Sequence, residues 1–520
     1  MTEDKYHIIL KQYWGYDDFR GIQQEIIHSI GSGKDTLGLM PTGGGKSIAF
    51  QVPALAQEGI CIVITPLIAL MKDQVENLKK RGIKAAAIYS GLTHNEILVT
   101  LENCIFGDYK FLYVSPERLS SELFLTKLKR MRVSFITVDE AHCISQWGYD
   151  FRPSYIRIAD LRKVVPQAPV LALTATATPE VVKDIQDKLL FRQEHVFKMS
   201  FARKNLAYVV RHTEDKESEL LHIINSIPGT VIVYCRSRKG CRDLAAQLEE
   251  RGLTATFYHA GLSNCEKDER QRLWQTDQCR VMVATNAFGM GIDKADVRFV
   301  AHTSLPKSIE NYVQEIGRAG RDGQKAEAWL CFSGGDAFFQ KKRIAESEAE
   351  DWYKNLSEVK QDVMQGYAES TECRRNLLLA YFGEKSKEKC GQCDNCRVTE
   401  KSWDASTAVK KFLSTVWRSY EKSKLYLNAA QVIEILQGIE TPFNRQHDFQ
   451  ELSTWKIGVE FSESQLRAVY RYLLLKEALG VEFTSDNGLF LTDKSRRFLS
   501  SSEPVFLSAH GSGQRKSRNF

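Results

Sequence analysis

The chain has 520 residues, 43% hydrophobic and 26% charged, an ordinary globular composition with room for several cores. Its formal charge of +6 is small for that length and no stretch is a polybasic block, so grip on a polyanion by bulk charge is excluded and any such site is a local patch. The start, MTEDKYHIIL, lacks the basic head and apolar core of a secretory signal, and the longest apolar run, residues 59–71, is broken by Thr65-Pro66 and too short for a bilayer. A reduced, cytoplasmic protein with no membrane contact is expected.

From Asp35 onward, short apolar runs alternate with helical patterns. They predict strands at Thr36–Met40, Cys61–Thr65, Ala85–Tyr89, Phe111–Ser115, Phe135–Asp139 and Val170–Thr174. That alternation means βαβ units and a parallel sheet, with ligands beyond the carboxyl ends of the strands. Met40-Pro41-Thr42-Gly43-Gly44-Gly45-Lys46-Ser47 follows the first strand and opens a helix. Its glycines let backbone N–H groups curl around phosphate, Lys46 reaches the β/γ oxygens and Ser47 can ligate Mg²⁺, although Met40 stands where the common pattern has its first glycine.

The stretch Asp139–Pro153 reads DEAHCISQWGYDFRP. An apolar strand ending in two acids suits a metal-bound phosphate: Asp139 for the magnesium shell, Glu140 to orient or deprotonate the attacking water. Trp147, Tyr149, Phe151 and Arg152 suit a flat, negatively charged polymer such as single-stranded nucleic acid.

GKS near the start and DEAH about ninety residues later resemble a superfamily 2 helicase, and the extended DEAHCISQWGYDFRP resembles the RecQ family of DNA helicases. That resemblance implies that Tyr16 and Arg20 sandwich the adenine of ATP while the Gln23 amide pairs with its edge. It also makes Thr65–Lys72 and Ser115–Arg118 backbone-gripping segments, and Leu173–Thr178 a segment coupling hydrolysis to DNA contact. One departure stands out, because RecQ proteins usually carry histidine where this chain has Tyr149.

A second βα series is predicted from strands at Val231–Tyr234, Ala255–Tyr258, Arg280–Ala284 and Phe299–His302, without a second phosphate loop. Arg236, Ser237, His259, Thr285 and Asn286 resemble the family's nucleic-acid contacts. In QEIGRAGRDG, Arg318 and Arg321 lie three residues apart, on one face of a helix, and can reach a γ-phosphate. Arg321 is the leading arginine finger and Arg318 its partner. Lys46, Asp139, Glu140, Gln23, Arg318 and Arg321 are therefore assigned to ATP hydrolysis.

Cys373, Cys390, Cys393 and Cys396 read as a closed four-thiolate site for structural Zn²⁺, with an iron–sulfur cluster as the alternative. Beside them, Arg374 and Arg375 are phosphate contacts or a solvated helix face. Residues 404–500 read as helices and a late hairpin turning at Asn487-Gly488, hence a winged helix. Ser464–Leu479 is its candidate DNA-facing helix, with Arg467, Arg471 and Lys476 as its charges. The hairpin tip, Ser485-Asp486-Asn487, carries no aromatic residue that could serve as a strand-separating pin.

The expected fold is α/β: two tandem RecA-like parallel-sheet lobes (1–205 and 206–335), a helical zinc-binding module (336–403), a winged-helix domain (404–500) and a disordered basic tail (501–520). This resembles the short bacterial form that lacks a further C-terminal nucleic-acid-binding domain. The resemblance implies an ATP-dependent 3′–5′ DNA helicase acting on single-stranded, forked or duplex DNA in recombination, replication, repair and the SOS response. Its cofactors are ATP, Mg²⁺ and structural Zn²⁺; it is a monomer, associated with the bacterial nucleoid, with single-stranded-DNA-binding protein as a partner. The alternatives are a DNA-stimulated ATPase that remodels or anneals strands, and a zinc-stabilised DNA-binding scaffold.

Overall fold

The computed structural model describes residues 4–41, 43–148, 150–289, 294–386, 388–398, 402–483 and 486–509. Their contacts divide the chain into one unit of residues 1–203, 286–295 and 313–322, and another of residues 204–285, 296–312 and 323–520.

The first unit holds seven strands: β1 Thr36–Leu39, β2 Ile60–Ile64, β3 Ala85–Ile88, β4 Phe111–Val114, β5 Val133–Val138, β6 Val170–Thr174 and β7 Val196–Lys198. All pair in parallel, in the order β3-β4-β2-β5-β6-β1-β7. Successive residues of one strand enter opposite cores: Ile60, Ile62 and Ile64 pack with Leu37, Val114 and Val138, whereas Cys61 and Val63 pack with Phe111, Tyr113 and Phe135. A sheet covered on both faces explains why its strands read as continuous apolar runs. Every predicted strand of this lobe is present, and β7 joins them at the edge beside β1.

At the amino end of β1, buried Asp35 accepts both Arg162 guanidinium nitrogens at 2.9 and 2.8 Å, and the N–H groups of Val170 (2.9 Å) and Arg192 (2.8 Å). The strand that carries the phosphate loop is thus tied down at its far end. At the carboxyl ends, β1 and β5 are separated only by β6, so the segment Gly43–Ser47 and Asp139 emerge two strands, roughly 10 Å, apart.

The second unit holds β8 Leu206–His212, β9 Thr230–Tyr234, β10 Ala255–Tyr258, β11 Val281–Ala284, β12 Val297–His302 and β13 Ala326–Phe332. These are parallel in the order β10-β11-β9-β12-β13-β8. The sequence reading found the four on one side and missed β8 and β13, which pair with each other over seven residues. After β13 come the helices Gly334–Ala345, Asp351–Glu369 and Arg374–Tyr381 and the cysteine segment.

Helices Ser406–Ser423, Ala429–Gln437 and Glu463–Leu475 then pack around Phe412, Val432, Leu466 and Leu473. Beside them, β15 Leu479–Glu482 and β16 Gly488–Leu491 form an antiparallel hairpin, completing the winged helix. Asp486 and Asn487 turn with φ of 50° and 58°, and Asn428 Nδ2 donates to Asp486 Oδ2 at 3.0 Å. Ser485 of the expected tip lies outside the described residues.

The tail expectation needs correcting. β17 Phe506–Ser508 pairs antiparallel with β14 Ser402–Asp404, and Leu507 is buried in the winged-helix core. The apolar Val505 and Leu507 give this segment something to bury, which its Ser-rich flanks hide from a compositional reading. Residues 510–520 lie outside the described residues.

Candidate functional site

Gly45 caps the helix Lys46–Leu55 with φ 74°, and no acidic residue occupies that helix's first turn. A helix start with open N–H groups and no acid is a ready anion site. Thr42, expected to share in it, lies outside the described residues. Gln23 is buried and its amide is fully engaged: Nε2 donates to the carbonyls of Gly44 (3.2 Å) and Gly45 (3.0 Å), and Oε1 accepts from Arg20 N–H (2.8 Å). A Cβ on Gly45 would lie 2.3 Å from Gln23 Nε2 and would strain the left-handed backbone at φ 74°, so a side chain there would displace the Gln23 amide. The amide expected to face adenine is here a brace between the adenine segment and the phosphate loop. Half-exposed Tyr16 has the Arg20 guanidinium stacked 5.4 Å from its ring centroid. A base between them needs about 7 Å, so its entry parts the pair.

Lys46 Nζ stands 3.2 Å from Glu140 Oε1, closing the gap between the β1 and β5 ends. Burial opposes the Glu140 charge, but Lys46 and then His142 outweigh it and hold the carboxyl below its ordinary range. Burial pushes Asp139 up to about 6, against the pull of Lys46. Glu140 is held at φ 47°, ψ 47°, a left-handed conformation that costs a non-glycine residue about 1–2 kcal/mol and marks a residue placed for a task.

By its contacts, the segment of residues 313–322 belongs to this first unit. Arg318 is buried, donates to the Gly289 carbonyl and adds to the positive field at Glu140. A Cβ at Gly289 would lie 2.2 Å from Arg318 Nη2, so a side chain there would push the guanidinium out of its place. The stem of Arg321 lies against Gly43, with Cγ and Cδ 3.3 Å from a Cβ built there. Arg203, which the sequence reading passed over, holds this segment by donating to the carbonyls of Ala319 (2.7 Å) and Gly320 (2.9 Å). Arg321 thus lies beside Gly43 of the phosphate loop, and Arg318 within electrostatic reach of Glu140.

Ser47 is oriented by residues that no motif announced. Gln74 Nε2 donates to Ser47 Oγ at 3.1 Å; Gln51 Nε2 donates to Gln74 Oε1 at 2.9 Å and to Tyr113 OH at 3.4 Å. With one lone pair of the hydroxyl taken by Gln74, the other remains for a cation. A hydroxyl and a buried carboxylate are hard oxygen donors of the kind magnesium takes, so Ser47 and Asp139 fit the ion expected there.

Directly after Glu140, His142 is buried, sharing a hydrogen bond of Nδ1 with Thr174 Oγ1 at 2.9 Å and standing 3.5 Å from Glu140 Oε2. It joins the acidic pair to Leu173–Thr178. Trp147 is 45% exposed, while Phe151 is partly covered with Lys188 Nζ 6.0 Å from its ring centroid. Arg152 is committed inside the loop: Nε and Nη2 donate to Asp150 Oδ2 at 3.1 and 3.0 Å, and Nη1 to the Pro66 carbonyl at 3.4 Å. It latches the loop to Thr65–Lys72 instead of extending a free hand. Tyr149 lies outside the described residues.

In the second unit, Arg236 and Ser237 are exposed at the start of the helix Arg238–Glu250, and Ser237 caps it. His259 is buried with neither ring nitrogen hydrogen-bonded. Thr285 N–H donates to Tyr258 O at 3.1 Å, and Asn286, in the first unit, is exposed. Two of the three charges expected to face DNA on the winged helix are engaged within the chain. Arg471 makes a bidentate pair with Glu369 at 2.9 and 3.0 Å, and Lys476 is 2.5 Å from Glu372, so both charges serve packing against the cysteine module. Arg467 is exposed, paired with Glu463 one turn earlier at 2.7 Å.

Cys373, Cys390, Cys393 and Cys396 bring their Sγ atoms within 4.8 Å of one another, with Cys390 and Cys396 at 3.8 Å. Thiolates arranged tetrahedrally around zinc at ~2.3 Å stand about 3.8 Å apart, so the four fit the ion. Arg374 is no phosphate contact: it is 2% exposed and its Nε and Nη2 donate to Asp394 Oδ1 and Oδ2, both at 3.1 Å. Asp394 also accepts from Val210 N–H at 3.1 Å, fastening the cysteine segment to β8.

Family models match along the chain: DEAD/DEAH box helicase over residues 20–185, helicase conserved C-terminal domain over 215–323, RecQ zinc-binding over 334–397 and RQC domain over 399–516. The ATP-dependent DNA helicase RecQ of Bacillus subtilis is 39% identical over 495 residues, 94% of this chain and 83% of that one. That of Pasteurella multocida is 38% identical over 501 residues, 96% and 78%. Among solved structures, S. cerevisiae Dbp5 bound to Gle1 and IP6 has a TM-score of 0.51 at 18% identity, covering 69% of this chain and 96% of that one. The helicase MrfA bound to DNA and AMPPNP has 0.54 at 17%, covering 64% and 51%. These two likenesses concern the fold alone. Among the described residues no helix is long and apolar enough to cross a membrane. With ATP, Mg²⁺ and structural Zn²⁺ as its cofactors and DNA as its substrate, the chain belongs to the RecQ family of ATP-hydrolysing DNA helicases.

Proposed function

We propose that the protein translocates 3′ to 5′ on single-stranded DNA and unwinds forked or duplex DNA, with hydrolysis gated by the strand through the turn Asp139–Pro153. The observation that carries this reading is His142, set between Glu140 and Thr174 at the root of the loop that exposes Trp147. A strand that moves the loop shifts His142, and with it the carboxylate that orients the attacking water. Lys46 is held by Glu140, and a γ-phosphate would compete for its ammonium. Releasing Glu140 from Lys46 frees it for water, while Arg318 and Arg321 supply fixed positive charge to the transferred group. Ser47 and Asp139 would hold Mg²⁺, which when bound would supply charge to neutralise the phosphates.

Domain limits near 205, 335 and 403 are part of this reading, supported by the start of β8 at Leu206 and the end of β13 at Phe332, with the zinc module as a strut between β8 and the winged helix. Polarity rests on the family resemblance. The same reading makes the protein a cytoplasmic, nucleoid-associated monomer of recombination, replication and repair that meets single-stranded-DNA-binding protein.

ATPase activity measured with single-stranded DNA, forked duplex and RNA, beside strand displacement on 3′- and 5′-tailed duplexes, tests the proposal. Displacement is expected only from the 3′ tail, and Trp147→Ala should lower DNA-stimulated turnover far more than DNA-free turnover. Equal loss of both activities would make the loop merely structural, and displacement from the 5′ tail would reverse the polarity.

A further inference from the structure

The second unit carries a cationic patch with a specific shape. The helix Arg238–Glu250 starts at Ser237, whose side chain accepts from Gly240 N–H at 3.0 Å, and its first turn holds no acid. Arg236, Arg238, Lys239 and Arg242 are all exposed around that start. His259 stands close by, 5% exposed, with both ring nitrogens unpaired. Burial first, then Arg242 and Arg238, hold its imidazole pKa below the ordinary value, so near neutral pH it offers one donor and one acceptor. Open helix N–H groups, guanidiniums and an unsatisfied buried imidazole together suit backbone phosphate.

Against this patch lies a pair of aromatic rings that the mechanism has not used. Phe338 and Phe339 are 67% and 51% exposed, edge to face with centroids 5.8 Å apart, and the Arg236 guanidinium lies 4.9 Å over the Phe339 ring. Their helix, Gly334–Ala345, is firmly seated: Ser333 and Asp336 form a capping box, Lys216 binds Asp336, and Ala337 and Gln340 are buried. Two adjacent phenylalanines left in water on a rigid helix, one already stacked on a phosphate-gripping arginine, are an unfilled stacking surface.

We propose that Phe338 and Phe339 form a base-stacking platform for single-stranded nucleic acid, with the strand's phosphates on Arg236, Ser237 and the helix start beside His259. The occupant follows from the charge: a second copy of the chain or an apolar protein segment leaves Arg236, Arg238, Lys239 and Arg242 uncompensated, whereas a polynucleotide satisfies rings and cations together. Stacking tolerates every base, so this platform adds grip without sequence preference. The inference rests on the chain being a DNA translocase.

The test is photocrosslinking of the wild-type chain to an oligodeoxynucleotide carrying 5-iododeoxyuridine at successive positions, with crosslinked peptides mapped by mass spectrometry. Crosslinks on the peptide containing Phe338-Phe339 are expected, beside others near Arg236 and His259. Phe338→Ala/Phe339→Ala should bind the oligonucleotide about tenfold or more weakly, and Phe338→Trp/Phe339→Trp should restore the affinity. Crosslinks near Arg236 without any at Phe338-Phe339 overturn the platform and leave translocation standing. No DNA binding by the wild-type chain sinks both. A double-alanine variant with unchanged DNA affinity but an altered mass in light scattering makes the pair a protein contact and overturns the platform.

Discussion

Gln74 offers the most direct way to ask whether the polar chain behind the phosphate loop matters. Its amide nitrogen donates to Ser47 Oγ at 3.1 Å while its oxygen accepts from Gln51 at 2.9 Å. Gln74→Leu keeps much of the volume and deletes both bonds. Ser47 then loses the donor that fixes which lone pair points outward, and the Gln51 amide keeps only its longer bond to Tyr113, 3.4 Å. Leaving a buried donor short of a partner costs about 1–3 kcal/mol of stability. Removing the group that orients a metal ligand costs about 10- to 100-fold in metal affinity. The assay is binding of a fluorescent ADP analogue as a function of Mg²⁺. The half-saturating Mg²⁺ concentration should rise by about 10- to 100-fold, while nucleotide binding in excess chelator stays close to wild type. Gln51→Leu should shift it less, and Tyr113→Phe less again, because each stands one bond further from Ser47. If Gln74→Leu is folded and its Mg²⁺ requirement lies within twofold of wild type, the orienting role is wrong. If nucleotide binding weakens equally with and without Mg²⁺, the amide merely supports the loop.

Asp35→Ala should cost about 3–5 kcal/mol in unfolding, because Arg162, 9% exposed, is left as a buried unpaired charge. Burial works against the Asp35 charge, but bonds from Arg162, Arg192 and Val170 overcome it and hold the pKa below 3.8. This stabilisation is fully present above 3.8 and is lost as pH falls through the lower folded value, so the stability difference between wild type and Asp35→Ala should shrink only in strong acid. Arg374→Ala should also cost about 3–5 kcal/mol and accelerate zinc release to a chromogenic chelator, since Asp394 is left buried and unpaired beside Cys393. The double variant Arg374→Met/Asp394→Leu should recover part of the stability; equal losses in single and double variants would contradict the pairing argument. Arg471→Leu should lower the thermal midpoint, with duplex affinity within twofold of wild type, whereas a selective loss of duplex binding would return that arginine to the DNA surface.

What was legible in the sequence was what the chain writes contiguously. The six predicted strands of the first lobe are apolar runs that end in chemistry-bearing residues, because a parallel sheet buries both faces and exposes only its strand ends. The cysteine set was legible because one ion imposes a local spacing on three of its four ligands. Val196–Lys198 was not, since its outer residues are exposed and it carries little apolar signal. Nor was β13, AEAWLCF, where partly exposed Glu327 and Trp329 alternate with buried residues and break the apolar run.

At the site, the same charge means opposite things according to a partner far along the chain. On the helix Glu463–Leu475 the basic residues read as a DNA-facing row. Yet Arg471 meets Glu369 and Lys476 meets Glu372, about a hundred residues earlier, and so they bind this helix and its end to the helix Asp351–Glu369 and the turn after it. Arg374 beside Cys373 read as phosphate-directed, yet Asp394 claims it in the interior. Arg236 has the opposite history: its nearest partner is a ring, Phe339, which neutralises nothing and leaves the charge for an anion. Of the cations expected to meet nucleic acid, Arg471, Lys476 and Arg374 have their charge closed by a carboxylate within the chain, whereas Arg236 lies on an aromatic face, which is why the proposed strand contact is placed there. Gln23 follows the same logic among neutral groups. An amide suited to adenine's edge has both its donors on the Gly44 and Gly45 carbonyls and accepts from Arg20 N–H. An adenine read by Gln23, as the family resemblance implies, would have to displace a bond to the phosphate loop, which would tie recognition of the base to the set of the loop.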